Sequence, residues 1–109
     1  MDDCLFCQIT NKKEPANILY EDDEIIAFKD IYPKAPIHVL VVPKKHILSV
    51  DHLKEEDKGL IGELFLVAKK LAKDQKISES GYKLLFNVGE GGGQVIGHLH
   101  LHLLGGWKK

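Results

Sequence analysis

The chain has 109 residues, enough for one compact domain around one hydrophobic core and too few for two. Lys plus Arg number 15 against 16 for Asp plus Glu, so the near-zero net charge gives no electrostatic footprint for a nucleic-acid polymer or an anionic membrane. The start, Met1-Asp2-Asp3, is acidic with no apolar leader after it, and the longest apolar runs, residues 39–42 and 64–68, are too short to span a bilayer. A cytoplasmic location is therefore expected, where the two cysteines are reduced thiols or metal ligands.

In chain order, residues 5–9 read as a short helical turn, closed by a polar break and Pro15. Residues 18–20 and 25–28 are apolar runs flanking Glu21-Asp22-Asp23, a hairpin signal. Residues 37–42, rich in β-branched side chains and bounded by Pro36 and Pro43, predict a central strand. Leu60, Ile61, Leu64, Phe65, Ala68, Leu71 and Ala72 recur at helical steps, which predicts one long amphipathic helix over residues 54–75. Its early acids, Glu55, Glu56 and Asp57, and its late lysines, Lys69, Lys70 and Lys73, complement the helix dipole. Residues 82–87 and 96–104 complete the set. The fold class is α+β, about five mainly antiparallel strands with a long and a short helix, in a single domain over residues 1–109.

Near the end of the chain His98, His100 and His102 alternate with Leu99, Leu101, Leu103 and Leu104. A strand repeats every two residues, so this pattern lines three imidazoles along one face with leucines behind. Three neighbouring imidazoles suit a reactive site better than a core, because leucines supply no partners for six ring nitrogens. Gly89, Gly91, Gly92, Gly93 and Gly97 lie just before them. Such a run forms either an ordinary hairpin loop or a nest of N–H groups that holds phosphate. Followed directly by imidazoles, the nest offers charge stabilisation beside a nucleophile, which favours phosphoryl or nucleotidyl transfer. The G-x-x-x-x-G-K-[ST] loop of many nucleoside triphosphatases is absent.

Cys4 and Cys7 form a C-x-x-C pair, open to three readings: a redox dithiol, half of a zinc site, or inert thiols. Only three residues precede Cys4, whereas the redox motif normally follows a strand. Zinc needs two further ligands, which His46 and His98 are able to supply. His52 has no comparable companion and reads as a solvated residue.

The run His98-Leu99-His100-Leu101-His102-Leu103-Leu104 resembles the defining pattern of the histidine triad superfamily. Phe28-Lys29-Asp30-Ile31-Tyr32-Pro33, the segment from Ala35 through His38 to Ile47, and Gly92-Gly93-Gln94 resemble its Hint-type branch in the same order. The resemblance covers essentially the whole chain. It implies a nucleotide-binding hydrolase or phosphoramidase, usually a homodimer, that removes a nucleoside monophosphate such as AMP from a phosphoramidate, acyl-nucleotide or dinucleoside polyphosphate. His100 is implied to be the nucleophile, its second nitrogen held by the main-chain carbonyl of His98. His102 is implied to assist the leaving group, with His38 and His98 continuing a polar relay behind the nucleophile.

The same resemblance implies ribose binding by Asp30 and an apolar base pocket from Phe6, Ile9, Phe28 and Ile31. Asn87, Gly93, Gln94 and Val95 match its phosphate loop, although Val95 stands where relatives usually carry a hydroxyl. It also favours structural zinc on Cys4, Cys7, His46 and His98, with no metal needed for the chemistry. Two other classes remain open: a nucleotide-binding regulatory domain without turnover, and a zinc hydrolase with the triad as ligands.

Overall fold

A computed structural model describes residues 4–108. Strand β3, Ile37–Pro43, is buried over almost its whole length and organises the sheet. The strands β1 (Ile18–Glu21), β2 (Ile25–Lys29), β4 (Tyr82–Leu85) and β5 (Leu101–Gly105) complete an antiparallel five-stranded sheet in the order β1-β2-β3-β5-β4. The β1–β2 hairpin closes on Asp22, whose carboxylate accepts from the Glu24 and Ile25 N–H groups, each at 2.8 Å. That local bond is why Asp favours turns.

Helix α2, Lys58–Asp74, packs across the sheet, burying Leu64, Val67, Ala68, Leu71 and Ala72 against Val39, Val41, Leu99, Leu101 and Leu103. The long helix therefore begins four residues later than the sequence pattern predicts. Residues Glu55–Asp57 form a 3-10 turn instead, because the buried Asp57 carboxylate accepts from Lys54 N at 2.9 Å and from Lys45 Nζ at 2.7 Å. Phe65 also leaves the buried stripe: it lies half-exposed against Phe86, their ring centroids 6.1 Å apart.

The opposite face of the sheet carries a smaller apolar cluster of Ile26, Phe28, Leu40 and Val42, sealed by Phe6 and Ile9 of α1, Leu5–Thr10. Burial on both faces explains the unbroken apolar reading of β2 and β3. Among the described residues no helix is long and apolar enough to cross a membrane.

Two strands are shorter than predicted. β4 stops at Leu85, before Phe86 and Asn87, and β5 begins only at Leu101. The β3–β5 ladder runs from Ile37↔Gly105 to Val41↔Leu101 and goes no further. Beyond it Leu99 N bonds to Ile47 O at 2.7 Å and the His98 ring bonds to Pro43 O at 2.8 Å. His98 and His100 thus lie on an extended approach to the strand, and His102 alone of the three is within it.

Candidate active site

The alternation still sorts the side chains. Leu99, Leu101 and Leu103 enter the core under α2, while His98 and His100 turn toward Phe6 of α1 and His102 lies against His100 and His38. The His100 and His102 ring centroids are 4.8 Å apart, and the Phe6 ring stands edge-on to His100 at 5.1 Å.

The hydrogen bonds assign the protons. Nδ1 of His100 lies 2.6 Å from the His98 carbonyl oxygen. A carbonyl only accepts, so the proton sits on Nδ1 and Nε2 keeps its lone pair. The main-chain N–H of Lys34 donates to Nδ1 of His38 at 3.0 Å, so neutral His38 carries its proton on Nε2. That nitrogen lies 3.0 Å from Nδ1 of His102 and donates to it. His102 in turn carries its proton on Nε2, a buried atom with no partner among the described residues. Of the two residues that the resemblance implies behind the nucleophile, His98 is there, through its carbonyl, while the bond from His38 goes to His102.

Burial keeps these rings neutral. Desolvation lowers the proton affinity of His38 and His100, and pushes that of His102 down to about 4 with help from the neighbouring His100 and His38. Asp30 opposes the shift from the edge of the site, its Oδ2 3.5 Å from Nε2 of His38 and its Oδ1 accepting from Tyr32 N at 2.9 Å.

A second constellation lies behind the first. Nε2 of His98 donates to the Pro43 carbonyl at 2.8 Å, which frees Nδ1 to face Cys4 Sγ at 3.3 Å and Cys7 Sγ at 3.6 Å. Cys7 Sγ is also 3.4 Å from Nδ1 of His46. Two ligands on a tetrahedral zinc, one sulfur and one nitrogen, stand about 3.6 Å apart. The four donor atoms, all within 4.8 Å of one another, fit that geometry. Desolvation and the neighbouring Cys4 raise the Cys7 thiol to about 11, so without a cation Cys7 stays a thiol.

Asp30, His38 and His102 also lie within one ligand set's reach. Here the proton chain argues against a metal, since Nε2 of His38 carries hydrogen while Nδ1 accepts one. The triad nitrogens diverge as well: each Nδ1 faces a different partner, respectively the cysteines, a carbonyl and His38. This arrangement disfavours the triad as ligands of one zinc.

The remaining predicted site residues are spread around this centre. Phe6, Ile9 and Phe28 are buried in the second cluster, while Ile31 is 74% exposed on the loop after Asp30. In the glycine loop Asn87 Nδ2 donates to Gly92 O at 2.9 Å. The Gln94 amide is used as a brace, accepting from Gly89 N and donating to the Leu48 and Ile96 carbonyls. Val95 projects from this loop, 85% exposed. Gly93 takes a left-handed φ of 85°, which suits a residue without a Cβ. At Gly97 an added Cβ would come within 3.0 Å of Leu48 Cδ1. His52, read as companionless, has Ser49 Oγ 2.8 Å from its Nδ1, a pairing that three-residue spacing at a 3-10 turn allowed for.

Comparison with known proteins fixes the kinship of this arrangement. Residues 3–108 match the family model described as scavenger mRNA decapping enzyme C-terminal binding. A HIT-like protein of Buchnera aphidicola is 45% identical over 107 residues, covering 98% of this chain and 94% of its own. The chain belongs to the histidine triad (HIT) family. Among solved structures, a HIT family hydrolase from Legionella pneumophila is 48% identical with a TM-score of 0.95, covering 97% of this chain and 95% of that one. A histidine triad protein from Clostridium difficile superposes with the same TM-score at 39% identity, over 100% of this chain and 95% of its own. These HIT proteins share the sheet, the long helix and the short N-terminal helix described above.

Proposed function

We propose that this HIT protein is a nucleotide-binding hydrolase that releases a nucleoside monophosphate, AMP in the first instance, from a phosphoramidate or related derivative through a nucleotidyl-histidine on His100. The observation that carries the reading is the 2.6 Å bond from Nδ1 of His100 to the His98 carbonyl, which leaves Nε2 as a fixed, unprotonated nucleophile. The N–H on Nε2 of His102, without a partner among the described residues, supplies the complement, a hydrogen-bond donor held ready for the departing group or a phosphate oxygen.

Nε2 of His100 attacks the α-phosphorus while the bond to the departing nitrogen breaks. The amine leaves with the bonding pair, held by a hydrogen bond from the N–H of neutral His102, and takes its proton from water. The hydroxide left from that water attacks phosphorus and the bond to His100 breaks, so one water supplies both the amine proton and the new P–O bond. Asp30, with Oδ2 at the rim of the relay, is the acceptor for ribose hydroxyls. Incubation with adenosine 5′-phosphoramidate is expected to yield AMP and ammonia in equal amounts; no AMP at neutral pH would contradict the proposal.

Zinc is the group that suits Cys4, Cys7, His46 and His98. It would supply a structural cross-link there, while His98 continues to present its carbonyl to His100. A homodimer is supported by the open edge of β4, beside which Leu85, Phe65 and Leu66 are exposed. Sedimentation equilibrium is expected to return twice the chain mass, and a monomer at micromolar concentration would refute that assembly.

A further inference from the structure

The two cysteines are placed for a second chemistry besides metal binding. Cys4 is the N-cap of α1 and Cys7 lies in its first turn, where the Cys7 main-chain N–H donates to Cys4 Sγ at 3.5 Å. Positions three apart on a helical turn share one face, so both sulfurs enter the same donor cluster, within 4.8 Å of each other. Both cysteines are half-buried, whereas His98 behind them is fully enclosed. The chain has no other cysteine.

Zinc and a disulfide compete for these sulfurs. Two thiolates on one tetrahedral zinc stand about 3.8 Å apart, given Zn–S bonds of about 2.3 Å, whereas a disulfide joins them at about 2.05 Å. Because one turn carries both, closing that gap does not require α1 to approach another element. Zinc also holds both sulfurs as thiolates, the form that attacks an oxidant.

We propose that Cys4 and Cys7 are a reversible oxidation site, converted by a peroxide to an intramolecular disulfide that expels zinc and loosens the hold of His98 on His100. The inference rests on the zinc site and the nucleophile proposed above. One thiolate attacks a peroxide oxygen, the O–O bond breaks and hydroxide departs, leaving a sulfenic acid. The second thiolate attacks that sulfur, the S–S bond forms and a second hydroxide leaves. Each sulfur loses one electron, the peroxide gains two, and both hydroxides take protons from solvent. Of the four donors only His46 and His98 then remain, too few to hold a structural zinc. The His98 ring keeps its bond to the Pro43 carbonyl but loses its tie through Nδ1, and its own carbonyl is the group 2.6 Å from Nδ1 of His100. Phe6, inside the C-x-x-C pair, rests on both of those rings and is displaced with them.

The test treats the intact, zinc-loaded protein with hydrogen peroxide and follows zinc liberated to a chromogenic chelator, the state of the cysteines by mass spectrometry, and hydrolysis of adenosine 5′-phosphoramidate. About one zinc per chain should be released as Cys4 and Cys7 become joined within a single chain. Turnover should fall by about tenfold or more, the scale on which a misplaced catalytic group acts. A thiol reductant and zinc added together should restore both the metal and the rate. Zinc retained under peroxide, sulfinic acid formed in place of a disulfide, or a disulfide that leaves turnover unchanged would each overturn the proposal. A wild type that holds no zinc before treatment would overturn the metal reading and the proposal with it. A protein that loses zinc as the disulfide forms, yet never cleaves the phosphoramidate even before oxidation, would support the oxidation site and contradict the hydrolase reading alone.

Discussion

Replacing His100 with alanine is expected to cut AMP release by at least about 10⁴-fold, the scale on which loss of a covalent nucleophile acts. The loss should fall on kcat. Asp30, the glycine loop and the Phe6–Phe28 pair, with centroids 5.4 Å apart, all remain in His100→Ala, so AMP should still bind. Replacing His102 should separate the two roles. His102→Ala removes only that hydrogen-bond donor, costing about 10²- to 10³-fold with an amine leaving group and much less with a stable phenolate. Unchanged turnover in His100→Ala, measured with a melting curve to confirm folding, would remove the nucleophile from the account.

The second large effect is expected at the cysteines. The purified protein should contain about one zinc per chain. The double variant Cys4→Ala, Cys7→Ala should lose it and melt lower by about 10 °C or more, since binding energy at a structural metal is folding energy. The consequence reaches the nucleophile, because His98 faces the cysteines through Nδ1 and holds His100 through its carbonyl. Phe6, between the two cysteines in sequence, also rests against both rings, at 5.8 Å from His98 and 5.1 Å from His100. Turnover should therefore fall along with stability. A zinc-free wild type that melts with the double variant would establish inert thiols instead.

The core and the chemistry were legible in the sequence to different degrees. β-Branched content between two prolines placed β3 and helical periodicity placed α2, each within a few residues, and the alternation of histidine and leucine sorted imidazoles from core. The boundaries failed where a specific tertiary bond competes with local preference. Asp57 caps and pairs rather than continuing the helix, and the chain from His98 to His100 is held by Ile47 and Pro43 rather than by a ladder. Periodicity carries no information about such partners, since they come from distant parts of the chain.

The site shows the same division. Residue types and spacing brought forward the triad and the four donors near Cys4, and the family resemblance added His38, but the direction of each proton depends on single backbone atoms. The Lys34 N–H, the His98 carbonyl and the Pro43 carbonyl set three tautomers, and no side-chain pattern encodes them. For that reason the resemblance put both His38 and His98 behind the nucleophile, whereas the hydrogen bonds place only His98 there and carry His38 to His102. Gln94 is a similar case: the resemblance implied a ligand contact, while its amide is spent bracing the loop.

The central claim is that hydrolysis runs through a covalent bond between phosphorus and Nε2 of His100. The stereochemical course at phosphorus tests it most directly, using an adenosine phosphoramidate made chiral at phosphorus with sulfur and hydrolysed in oxygen-18 water. Two in-line displacements, the first by His100 and the second by water, predict overall retention of configuration. Inversion would mean that water attacks the substrate directly and that His100 serves only to bind it.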